Sequence, residues 1–230
     1  MQSGIKLINE FDVAAGERVD LVLDFDAHKS VSVVNRGNGI YALRPVIKVI
    51  PTLLNGITGF VDTALLGSNV MVTAQVAGEI VRSTTPTQTG EFFLARLDPG
   101  DYDIVITADG RATAVIAGVP VTSDTSVTTL STSGDPITLP APEDPATHDI
   151  SGIVTLDPIS TEVIHVAAKQ SFPDGPIVTI KELNVAPPSG EPPTGGDYIL
   201  TLPIAAPILG QYGDGTLPIV LTAQVGVAGI

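Results

Sequence analysis

The sequence predicts an all-β protein assembled from tandem β-sandwich modules, and three observations carry that reading. Short runs rich in Val, Ile and Thr alternate with Gly, Pro, Asn and Asp roughly every ten residues, the spacing of sandwich and barrel strands. The 23 Gly and 19 Pro are spread along all 230 residues, as tight turns between short strands require. No window shows a 3.6-residue apolar period flanked by caps, so no long helix is expected.

In chain order, the first strands are read at Lys6–Asp12, Val19–Ala27 and Ser30–Val34. Asn35-Arg36-Gly37-Asn38-Gly39 then supplies a hairpin turn, because Asn-Gly accepts the positive φ that tight hairpins demand. Ile40–Ile50 follows as one long strand. A second unit opens at Gly56, with strands starting at Ile57–Val61, Asn69–Gln75 and Glu79–Thr85. In GEFFLARLDPGDYDIVITADG (90–110), Phe92 and Leu94 alternate inward before an Asp98-Pro99-Gly100 turn in which Pro presets φ. Tyr102, Ile104 and Ile106 resume the alternation, and Ala112–Val121 with Ser126–Leu130 would close a seven-stranded sandwich.

The stretch STSGDPITLPAPEDPAT (131–147) reads as an extended linker, with Pro136, Pro140, Pro142 and Pro145 among Ser, Asp and Glu. A third unit opens at Asp149. Its Ile150-Ser151-Gly152-Ile153-Val154 repeats Ile57-Thr58-Gly59-Phe60-Val61 at an offset of 93, and Gly196-Asp197-Tyr198-Ile199-Leu200 repeats Gly90-Glu91-Phe92-Phe93-Leu94. The glycine spacing is 31 in the first copy and 44 in the second, an excess of 13 that fits a loop containing PPSGEPPTGG. This is a diverged internal repeat. The organisation expected is therefore a β domain over 1–55, a sandwich over 56–130, a linker over 131–148 and an incomplete sandwich over 149–230. An incomplete sandwich exposes an edge that another chain can pair with.

Composition narrows the chemistry. With 43% hydrophobic and 16% charged residues the chain can fill a core, so it is no disordered acidic tail. The net charge of −14 is 0 over residues 1–50 (six basic, six acidic), −5 over 51–130 (three, eight) and −9 over 131–230 (two, eleven). Such a surface repels phosphate backbones and anionic lipid, which argues against nucleic acid as a partner. Without cysteine there is no disulfide, thiolate nucleophile or Cys-ligated zinc. No apolar run reaches the roughly 18 residues of a spanning helix, so this chain is not expected to insert into a membrane. MQSGIKLINEF lacks the charged and apolar regions of a signal peptide.

Two stretches resemble known families. SGIKLINEFDV, LVLDFDAHKSV and GNGIYALRPVIKV, within residues 3–50, resemble the C-terminal part of a bacterial lipoprotein domain known as domain of unknown function 4382. The rest of that domain, with the exported N-terminus, would precede Met1. Residues 56–130 resemble a carboxypeptidase-regulatory-like domain of the transthyretin-like kind. The match rests on Ile57–Val61 for its leading strand, Gly90–Leu94 for Gly-x-Phe-x-Leu, and Leu97–Tyr102 for Leu-x-Pro-Gly-x-Tyr. The resemblance implies transthyretin-like or Ig-like sandwich modules of a cell-surface or secreted bacterial protein, and it carries no catalytic set. Lys-Asn cross-links, made by some surface sandwiches, cannot form inside 56–130, which contains no Lys.

Candidate chemistry is sparse. Asp24, Asp26 and His28 alternate on one strand face with Asp20 and Val22, and their oxygens and imidazole could hold calcium or a transition metal. Residues two apart on a strand are roughly 7 Å apart, so one ion would need ligands from a second strand. A solvated or salt-bridged face, with Arg18, Lys29 or Arg44 as partners, explains the motif equally. Asp98, Asp101 and Asp103 lack EF-hand spacing. His148 falls in the linker and His165 on a strand. No Gly-x-Ser-x-Gly, His-Glu-x-x-His or phosphate loop occurs. For carbohydrate, Tyr41, Tyr198 and Tyr212 are the stacking candidates. The expected role is a non-catalytic structural or adhesion module that meets protein partners, including its own copies, through edge strands. The alternative is a carbohydrate- or calcium-binding module of a larger exported protein.

Overall fold

Strands supply nearly all the regular structure in the computed structural model, which describes residues 21–25, 31–34, 40–43, 47–51, 55–142, 147–156, 163–173, 175–186, 196–203, 205–213 and 215–224. Met1–Leu53 and Leu54–Ile230 form two units. In the first, β1 (Leu21–Phe25), β2 (Val31–Val34), β3 (Ile40–Leu43) and β4 (Ile47–Pro51) make two antiparallel pairs, β1 with β4 and β2 with β3. The stretch read as one strand over Ile40–Ile50 is thus two strands with different partners. Pro45, which has no N–H to give a ladder, stands between them in sequence. The expected strand Lys6–Asp12 lies outside the described residues.

In the second unit, β5 (Gly56–Phe60), β6 (Met71–Val76), β7 (Glu79–Thr84), β8 (Glu91–Ala95), β9 (Gly100–Thr107), β10 (Ala114–Val121) and β11 (Val127–Thr129) form the seven-stranded sandwich. One sheet has the order β11-β5-β8 and the other contains β10-β9-β6-β7. Their inner faces carry the core that alternation predicts. Ile57, Phe92 and Leu94 from the small sheet meet Val72, Ala74, Ile104, Ile106 and Ile116 from the large one, all at most 1% exposed. Each such large side chain contributes roughly 1.5–3 kcal/mol by leaving water. Tyr102 closes one end, its hydroxyl donating to the Asp98 carbonyl at 2.7 Å, while buried Asn55 donates its amide to the Leu97 carbonyl.

The Pro-rich stretch after Leu130 lies against this sandwich. Ile137 and Leu139 are buried in its core. The Ile137 N–H donates to the Phe60 carbonyl at 2.8 Å, and the Asp62 N–H donates to the Ile137 carbonyl at 2.9 Å. The prolines break the pattern of a regular strand, yet the two aliphatics between them find the core.

The third segment contributes β12 (Thr147–Ile153), β13 (Ile164–Ser171), β14 (Ile177–Val185) and β15 (Asp197–Pro203), paired β12 with β15 and β13 with β14. His148, expected in a linker, is therefore in a strand, opposite Leu202. The internal repeat shows in the pairing. Gly59 stands opposite Phe92 and Gly152 opposite Tyr198, and each glycine leaves room for the aromatic ring across from it. Gly90 and Gly196 both adopt φ +81, and their carbonyls accept from Val61 and Val154 at 2.9 and 2.8 Å. A left-handed backbone favours glycine there.

The chain then returns to the first sandwich. β16 (Ile208–Gln211) adds parallel to β10, and β17 (Thr222–Ala223) pairs antiparallel with β16. The full sheet order is β17-β16-β10-β9-β6-β7. Ile208 is buried in the first sandwich's core, and Tyr212, Ile219 and Leu221 pack against it.

A Cβ on Gly59 would sit 2.7 Å from the Phe92 ring and 2.9 Å from the Ser131 hydroxyl, whereas on Gly152 it would meet Tyr198, 2.6 Å from the hydroxyl and 2.8 Å from the ring. Phe92 is 1% exposed; Tyr198 is at a part-exposed site and free to yield. Gly59→Ala should therefore destabilise by about 1–3 kcal/mol in urea unfolding, and Gly152→Ala by clearly less.

Candidate functional site

The outer face of the large sheet would ordinarily face water, yet β9 and β10 are buried on both sides. Val105 and Val115 join Phe172 and Val178 of the β13–β14 hairpin in a separate apolar cluster, against which Ile180 and Leu209 pack. The signal for this is present in the amino acids: Ile104-Val105-Ile106 and Ala114-Val115-Ile116-Ala117 are continuous apolar runs, the mark of a strand covered on both faces.

A polar clamp fixes the hairpin there. Gln75, completely buried, donates its amide to the Thr179 carbonyl at 2.7 Å and accepts from the Thr179 N–H at 2.7 Å. The side-chain amide thus pairs with a peptide group as a neighbouring strand would. The same amide nitrogen donates to the Thr73 hydroxyl at 2.9 Å. The Thr179 hydroxyl in turn donates to the Gly78 carbonyl at 2.7 Å. Gly78 has φ +76, and a Cβ on it would stand 2.9 Å from the Ile177 carbonyl oxygen, so the close approach requires glycine. At the surface end, Lys169 pairs with Glu79.

Beside this seam lies a cleft of about 510 Å3. Its sheet wall carries Thr73, Ser83, Thr107 and Thr113, and the facing wall carries Ile180 and Leu202. One lip is Asn69 and Asp109. Their loops are joined by the Asp109 N–H donating to the Ser68 carbonyl at 2.7 Å and the Asn69 amide donating to the Asp109 carboxylate at 2.6 Å. Lys181 and Glu182 stand on the other lip. None of these residues was singled out by sequence reasoning, because Ser and Thr alternating along a strand read as a solvated face.

The residues that were singled out fall elsewhere. Asp24 is opposite Lys48 in the β1–β4 register, while Asp26 and His28 lie outside the described residues. Tyr41 is opposite Val33. Tyr198 packs over Gly152 in the cluster of Ala168, Leu200 and Leu202, and Tyr212 packs on the first sandwich's core, so these two rings belong to different places. Asp103 accepts a hydrogen bond from the Gly118 N–H at 3.3 Å. Burial raises its carboxyl above the ordinary aspartate value, and the Gly118 bond offsets part of that. Burial, then the Asp98 charge, raises the Tyr102 hydroxyl, with Arg82 opposing. Among the described residues, no group of three or more His, Asp or Glu is placed to hold a metal ion. No described helix is long and apolar enough to cross a membrane.

Comparison with known proteins adds the following. A family model described as a domain of unknown function (DUF4382) matches residues 1–45, the segment whose motifs carried that resemblance. No curated protein matches the chain. Part of the chain is similar to solved structures of two interface mutants of a type II cohesin–X-dockerin complex from Acetivibrio cellulolyticus. For the N-terminal interface mutant, identity is 23%, 38% of this chain and 58% of that chain are covered, and the TM-score is 0.31. The C-terminal interface mutant gives 25%, 37%, 56% and 0.31. The chain thus spans less than two thirds of either.

Replacing Gln75 with Leu keeps bulk but leaves the Thr179 N–H and carbonyl buried without partners. At about 1–3 kcal/mol for each orphaned group, the expected loss is about 2–5 kcal/mol, read by urea unfolding. Asp103 titrates in the opposite sense to a salt-bridged aspartate. Because its folded pKa is raised above 3.8, the native state holds the proton more tightly. Its contribution to stability is therefore full below pH 3.8 and lost as pH rises through the folded pKa. Asp103→Asn should be more stable than the parent at pH 7, with the gain vanishing near pH 3 in paired urea titrations.

Proposed function

We propose that the chain is a non-catalytic structural or adhesion module of a bacterial cell-surface or secreted protein, associating with other protein chains through open sheet edges. The observation that carries this reading is that, among the described residues, the second repeat's hairpin has fewer strand partners than the first's. In the first repeat, the β6–β7 hairpin is continued by β9 along the free side of β6. The corresponding hairpin, β13–β14, has no described strand along β13, and the next strand in the chain, β16, pairs with β10 instead. Ala168, Leu200 and Leu202 are buried in the second repeat's core, while Ile150, Val166 and Leu183 around them are only partly covered.

An added strand beside β13 would satisfy its main-chain groups and cover those aliphatics. Main-chain hydrogen bonds supply the affinity in such an association and alternate side chains the specificity. The outer edge of the first sandwich, β7, presents Val81 at 48% exposure and is a second place for lateral contact. The resemblance of 56–130 to transthyretin-like modules, and of the segment before it to a lipoprotein domain, supports a role at the bacterial envelope, outside the cell.

The test is molar mass by light scattering across protein concentration, with chelator present. The parent should rise above the mass of one chain as concentration increases. Ala167→Lys, which puts a charge on exposed β13, should lower that rise. A mass that stays at one chain throughout would overturn the reading.

A further inference from the structure

The cleft beside the repeat seam has a chemistry that edge association does not use. Thr113 lines it and is 4% exposed, yet its hydroxyl makes no hydrogen bond to any described residue. Ser83 and Thr107 on the same wall also have hydroxyls without a described partner. By contrast, the Thr73 and Thr179 hydroxyls are occupied by Gln75 and the Gly78 carbonyl. None of these three hydroxyls is sealed away from the cleft, so each is open to a ligand that enters it.

We infer that this cleft binds a neutral, hydroxyl-rich small molecule, a mono- or disaccharide. Its volume of about 510 Å3 lies within the roughly 300–1,000 Å3 of small-molecule sites. Ser83, Thr107 and Thr113 each donate and accept, which matches sugar hydroxyls that do both. At the lip, the Asn69–Asp109 pair sets an amide and a carboxylate side by side, held by the bond between them. Ile180 and Leu202 opposite, with Met71 and Ile80, give an apolar surface for the C–H face of a pyranose ring.

Charge disfavours the other small ligands. Lys181 is the one cation among the lining residues, against Asp109 and Glu182, and the chain carries −14 overall. A phosphate or carboxylate ligand would meet net repulsion. The rings singled out from sequence, Tyr41, Tyr198 and Tyr212, are not among the lining residues, so recognition here rests on hydroxyls and aliphatics.

Met71 makes the test specific. It lines the cleft, is 39% exposed, and Met1 is the only other methionine. With 13C-methyl-methionine in the full chain, cellobiose, maltose and diacetylchitobiose are titrated into the millimolar range, with inorganic phosphate alongside. The expected result is a saturable shift of the Met71 methyl signal with at least one disaccharide and none with phosphate. Thr113→Val, which keeps shape and removes the hydroxyl, and Asp109→Ala should each weaken that binding about fivefold or more. Their melting temperatures without ligand report that the fold is kept. No Met71 shift with any of the three sugars, a shift equal for phosphate, or binding unchanged in both variants would overturn the inference. Because the readout is local to the cleft, it is independent of whether chains associate through their edges.

Discussion

One amide side chain holds the two repeats together. Gln75 uses both ends of its amide on the peptide group of Thr179, and it does so fully buried. A buried amide is tolerable only when satisfied, and here each partner satisfies the other. The apolar cluster of Val105, Val115, Phe172 and Val178 supplies the burial energy at the same seam. Hydrophobic contact alone would let the hairpin slide over the sheet. The amide fixes it in one position, since a displaced hairpin would leave Gln75 and Thr179 unpaired in a dry site. The cleft depends on that position, because Thr73 and Thr179 belong at once to the clamp and to the cleft wall.

The second constraint is where the chain goes after the second repeat. Its first four strands reproduce the pairing of the first repeat, glycine under aromatic included. The following strand then joins β10 rather than β13. That choice covers one sheet edge and plants Ile208 in the first core. It leaves β13 with one described partner. Among the described residues β16 thus extends the first repeat's sheet, and the edge on which the proposed association rests is the side of β13 with no described strand.

Much of the first sandwich was legible in the sequence because its strands obey local rules. Alternation at Phe92/Leu94 and Tyr102/Ile104/Ile106, turn chemistry at Asp98-Pro99-Gly100 and the glycine pattern of the repeat all act within a few residues. What escaped is non-local or runs against local signals. Ile137 and Leu139 sit among prolines that read as a linker, and what looked like one strand over Ile40–Ile50 is two strands with different partners. The Gln75–Thr179 pairing spans 104 positions, and Gln75 follows the polar half of an ordinary alternating strand. The cleft was illegible for the same reason: Thr73, Ser83, Thr107 and Thr113 look like solvent-facing residues until a second layer is laid over them.

Native-state amide hydrogen exchange reads the central claim, that the seam makes the two repeats one cooperative body. If it does, the Thr179 amide, the Ile208 amide bonded to the Thr113 carbonyl at 2.9 Å and the Ile104 amide in the middle of the sheet open with the same free energy, that of global unfolding. If Thr179 and Ile208 exchange through an opening several kcal/mol shallower than that of Ile104, the repeats come apart on their own. The seam would then not be what holds the structure together.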